Sequence, residues 1–124
     1  MRSEFLLPET IARDNGVGAE IALIETGRSI QLTLGITRSM AQESLDVSIW
    51  GSPDGQRWRQ VAVFPQKFYC GTYSQDVDLT RHPDVRFLRA QWKMGRWRRE
   101  ETAPLFEFYV LAVDGPIRQY AGAA

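Results

Sequence analysis

The chain has 124 residues, the length of one domain, and a domain of that size buries roughly two-thirds of its unfolded surface without a disulfide or a metal. Apolar residues make up 44% and charged residues 24%, a balance that excludes a disordered chain. Fifteen Lys and Arg match fifteen Asp and Glu, and this zero net charge argues against nucleic acid as a partner and removes self-repulsion between copies.

Thirteen of the fifteen cations are arginine, a bias that a GC-rich genome produces by itself. The single cysteine, Cys70, excludes an internal disulfide and a cysteine-based zinc cage. The opening stretch Met1 to Glu9 carries acids and no long apolar run, so no secretory signal is expected there. No segment approaches the roughly 20 apolar residues that span a bilayer. These features predict a cytoplasmic protein without membrane contact. Residues 1–17 and 117–124 read as less regular ends of one β domain, 1–124.

In chain order, the first strand is expected over Ala19 to Glu25, with Ile21 and Leu23 on one side. Ser29 to Thr37 follows, where Ile30, Leu32, Leu34 and Ile36 alternate with Gln31, Thr33 and Gly35. A period of two marks a half-buried strand, because successive side chains point to opposite faces. Thr37 to Ser44 has room for one helical turn. Leu45, Val47 and Ile49 then define another strand, and Pro53-Asp54-Gly55 forms a turn in which proline presets φ and glycine accepts positive φ. That turn predicts a hairpin with a strand from Trp58 to Phe64. Further strands read as Ser74 to Leu79, Val85 to Lys93 and Leu105 to Asp114. The last is apolar on both faces over much of its length, so it belongs at the centre of a sheet or under a neighbouring segment. Turn signals separate these runs at Asp14-Asn15-Gly16, Thr80 to Asp84, Met94-Gly95 and Asp114-Gly115-Pro116. The fold class is all-β and antiparallel; period-two strands suit a sandwich or a barrel.

The segment Leu45 to Trp58, with its Ser52-Pro53-Asp54-Gly55 turn and following Trp58, resembles the equivalent hairpin of discoidin-like (coagulation factor C-type) galactose-binding domains. Val85-Arg86-Phe87-Leu88-Arg89-Ala90 is similar to a later strand of the same family. The resemblance covers about the middle half of the chain. It implies a jelly-roll sandwich of about eight strands and a ligand-binding role. The ligand loops of that family vary, so the resemblance assigns no ligand residue to this chain.

Catalysis by a nucleophile needs a base and an orienting group in reach. The one histidine, His82, stands in a turn before a strand, and Cys70 has only Lys67 as a cation nearby in sequence. Asp76 and Asp78 share one face of a strand, where a polar outer face explains them without calcium. Glu100 and Glu101 balance the preceding arginines, and no glycine-rich phosphate loop opens a helix. No enzyme, cofactor or metal is expected.

Two segments carry binding chemistry. Phe64 to Tyr73 is dense in rings, including Tyr69 and Tyr73; it reads either as a contact loop or as a loop folded over the core with its rings buried. Lys93 to Glu101 reads as a long hairpin tip, either an interaction hot spot of Arg96, Trp97 and Arg98 or a solvated loop with Trp97 folded onto its own hairpin against an arginine. Two functions fit. One is a non-catalytic module recognising carbohydrate or another small or surface ligand through Arg96, Trp97, Arg98, Tyr69 and Tyr73. The other is a structural protein that forms a homo-oligomer or decorates a larger particle.

Overall fold

The computed structural model describes residues 3–23, 29–39, 43–96 and 105–114. They contain the strands β1 (Ser3–Ala12), β2 (Gly16–Val17), β3 (Ile21–Ala22), β4 (Ser29–Arg38), β5 (Glu43–Ser52), β6 (Arg59–Val63), β7 (Gly71–Asp78), β8 (Phe87–Arg96) and β9 (Phe106–Asp114). A single 3₁₀ turn, Leu79–Arg81, follows β7 and is capped by the Asp78 carboxylate, which accepts from the Thr80 N–H.

The strands form two antiparallel sheets. One has the order β1-β9-β4-β7, the other β2-β8-β5-β6, with β3 pairing β8 beyond β2. Successive strands alternate between the sheets, except that β2 and β3 stay together and β5 and β6 form the predicted hairpin. Counting the broken β2/β3 strand as one, this is the eight-stranded jelly roll. The sandwich is closed along one side by Gln75 of β7, whose amide donates to the carbonyl of Val63 on β6 at 2.9 Å.

The core follows from the alternation. Ile30, Leu32, Leu34 and Ile36 of β4, Leu45, Val47 and Ile49 of β5, and Phe106, Phe108 and Val110 of β9 are all buried. Each such side chain contributes roughly 1.5–3 kcal/mol on leaving water. The layers interlock where Trp92 of β8 meets Phe108 of β9 edge to face, ring centroids 5.5 Å apart. The Trp92 indole N–H is satisfied by the Asp14 carbonyl at 2.9 Å. As its two-sided apolar pattern predicts, β9 is central, flanked by β1 and β4.

Three expectations differ from the structure. Residues 1–17 are not simply an irregular end, because Ser3–Ala12 is a ten-residue edge strand. Register shifts between Phe5 and Leu7 and between Leu7 and Thr10 bury Leu6 and Leu7 together, which erases the period of two. Of the strand expected over Ala19 to Glu25, Ile21–Ala22 forms β3, preceded by β2 outside that range, both pairing with β8, while residues 24 and 25 lie outside the described residues. Met94-Gly95 is not a turn: β8 runs on to Arg96, and Gly95 sits where a Cβ would lie 2.7 Å from the Ser44 hydroxyl. In the Thr37 to Ser44 stretch, Thr37 and Arg38 end β4 and Glu43 and Ser44 begin β5, and residues 40–42, where the helical turn would fall, lie outside the described residues.

Candidate functional site

The outer face of the β2-β8-β5-β6 sheet collects rings around one guanidinium. Leu88 and Ala90 point into the core, so Phe87, Arg89, Gln91 and Lys93 face outward. Arg89 lies opposite Trp50 in register, and its guanidinium stacks on the Trp58 ring at 4.0 Å. Both indoles are anchored: Trp50 donates to the Ser48 hydroxyl at 2.9 Å and Trp58 to the Gly55 carbonyl at 3.2 Å. The Arg89 Nε is buried and lacks a hydrogen-bond partner.

Beside this cluster, Pro53, Arg57, Trp58, Arg59 and Asp84 line an open cavity of about 150 Å³. The turn that builds it is well satisfied. Asp54 Oδ1 accepts the N–H groups of Gln56 and Arg57, and Ser52 Oγ accepts those of Asp54 and Gly55. The backbone donors of Arg57 and Gln56 hold the Asp54 carboxyl far below the usual carboxylate range. Arg59 grips Asp84 with both terminal nitrogens, one at 3.0 Å, and its hydrogen bonds hold the Asp84 carboxyl down at about 2. The same pair raises Arg59. Arg59 Nε also donates to His82 Nδ1 at 3.4 Å, so the histidine is engaged in this surface network. A fixed ion pair and a stacked arginine suit planar or acidic contacts; they hold no nucleophile–base pair.

The outer face of the β1-β9-β4-β7 sheet is of another kind. Alternation turns Tyr109, Leu111 and Val113 of β9 outward, half-buried, beside Phe5 and Ile11 of β1, which are 46% and 50% exposed. Phe5 meets Tyr109 edge to face at 5.8 Å. Glu9 accepts from the Thr37 hydroxyl at 2.7 Å, and Arg38 pairs with Glu107 at 3.1 Å. Asp76, opposite Gln31, and Asp78, opposite Ser29, lie on the same outer side, as their spacing predicts.

The sequence-predicted ligand residues gather at one end of the sandwich only in part. Arg96 ends β8 opposite Glu43, and Lys67 pairs with Leu45, so both segments flank the start of β5. Trp97 and Arg98 lie outside the described residues. Because β8 and β9 belong to different sheets, the two do not pair as the predicted hairpin. Tyr73 faces the core side of β7, donates to the Tyr69 carbonyl at 3.0 Å and lies under the Lys67 ammonium at 4.0 Å. Tyr69 is 76% exposed and is the ring of this segment left open, whereas Phe64 is buried. Cys70 is exposed; its described neighbour is the Ser39 hydroxyl at 3.7 Å. The Trp50–Arg89–Trp58 cluster was missed as a site by sequence reasoning; its signal was Trp50 and Trp58 bracketing a tight turn.

Among the described residues no group of His, Cys, Asp and Glu is placed to hold a metal ion, and no helix is long and apolar enough to cross a membrane. The chain matches no family model and no curated protein. Solved structures of infectious bursal disease virus do share its architecture. The VP2 subviral particle aligns over 94% of this chain and 32% of its own, with a TM-score of 0.55 and 14% identity. The T13 viral particle aligns over 92% of this chain and 31% of its own, at 0.56 and 15%. The likeness is one of fold. This chain spans about a third of the length of those proteins.

Proposed function

We infer that this domain is a non-catalytic assembly unit, a jelly roll that forms homo-oligomers or decorates a larger particle. The observation that carries the reading is the two-sheet jelly-roll fold, which aligns over more than nine-tenths of this chain with proteins of viral particles. An open apolar strip on the four-stranded sheet supports it, since a contiguous exposed apolar patch is characteristic of interaction surfaces. The described residues offer no ordered acid–base set that would favour chemistry instead.

Light scattering of the purified protein across a concentration series tests this reading. A mass at a multiple of 14.2 kDa, with discrete particles in electron micrographs, is the expected result. A monomer at every concentration, recovered without a bound partner, overturns it and returns attention to ligand recognition around Tyr69.

A further inference from the structure

We propose that copies of this chain associate heterologously, the outer face of the four-stranded sheet of one copy docking on the outer face of the five-stranded sheet of the next. The inference rests on the assembly reading and specifies its interface.

Charge is divided between the sheets although the chain is neutral. The outer face of the four-stranded sheet carries Glu9, Asp76, Asp78 and Glu107 against Arg38. The outer face of the five-stranded sheet carries Arg89 and Lys93 against Asp46. A face-to-face contact between like sheets brings acid to acid, whereas a contact between unlike sheets brings acid to cation. Complementary potentials of this sort select partner and register.

The apolar and polar demands also match. Phe5, Ile11, Tyr109, Leu111 and Val113 present side chains that the rings of Trp50, Trp58 and Phe87 can cover. The exposed Asp76 carboxylate, which has no hydrogen bond or ion pair among the described residues, is an acceptor of the right charge for the exposed Lys93 ammonium. A sheet four strands wide and ten residues long measures about 19 Å by about 33 Å, roughly 600 Å². Covering one such face on each partner gives about 1,200 Å², the lower bound of stable interfaces. Since the two contributing surfaces differ, the contact propagates into a ring or a filament.

The test uses the full chain in two variants, each changed on one face. Ile11→Lys with Asp76→Lys alters the four-stranded face; Gln91→Glu with Lys93→Glu alters the other. Circular dichroism and thermal melting verify the fold, and Lys93→Glu alone serves if the double change disturbs it. Each variant is expected to associate about tenfold or more weakly than wild type, while an equimolar mixture recovers a one-to-one complex in light scattering. If the five-stranded-face variant assembles as wild type does while the other does not, like sheets pair and the proposal is overturned, with the assembly reading intact. Wild-type assembly by both variants has the same consequence. A wild-type protein that never associates removes the assembly reading and this interface with it.

Discussion

Ser52 and Asp54 organise the β5–β6 turn by dividing its backbone donors between a hydroxyl and a carboxylate, and Gly55 completes it at φ +80°. An added Cβ there meets only the Glu20 carboxylate, at ordinary contact distance of 3.6 Å, so the cost of a side chain is conformational. Gly55→Ala is expected to destabilise by about 1–2 kcal/mol, read from urea unfolding, with Gly55→Asn closer to wild type. The carboxyls of Asp54 and Asp84 give a pH signature. Both have folded-state values depressed below the unfolded value of about 3.9. Their stabilisation is therefore complete above about pH 4 and is lost as pH falls through the folded values, for Asp84 at about 2. Denaturant midpoints measured from pH 6 down to about pH 2 should fall in that window. Asp84→Asn should flatten its share of the decline; an unchanged slope would remove the Arg59–Asp84 pair from this account.

At the scale of elements, β9 sits inside its sheet between β1 and β4 and meets the other layer through Phe106 and Phe108, which fill the interior. Phe108→Ala removes the edge-to-face partner of Trp92 and leaves a cavity between the sheets, at an expected cost of about 3–5 kcal/mol, measurable by denaturation with tryptophan fluorescence. The outer edge of β1 is protected differently. Pro8 has no N–H to offer, and two register shifts bend the strand around it. Pro8→Val should leave the native fold intact and raise aggregation on heating, read by light scattering; equal turbidity in both proteins would show that the edge is guarded elsewhere. Strands with uninterrupted alternation, such as β4 and β5, were legible in sequence. β1 was not, because a bulge places neighbouring residues on the same side and makes a strand look aperiodic. Gly95 misled for a related reason: a glycine required by the close approach of Ser44 reads locally as a turn.

At the scale of the whole molecule, composition and period already imply a single antiparallel β domain with a hairpin at Pro53 to Gly55, since alternation and turn chemistry are local properties of the chain. The same local signals foresaw that β9 is interior to its sheet. They carry no information about which strands share a sheet, because pairing joins segments remote in sequence. Only the tertiary structure placed β8 and β9 in different layers, turned Tyr73 toward the core, and set Arg89 between Trp50 and Trp58. It also separated the charges. A neutral sequence becomes a sandwich with one acidic and one cationic sheet because the topology alternates strands between layers, and the charge of a face is the sum over strands that only folding brings side by side.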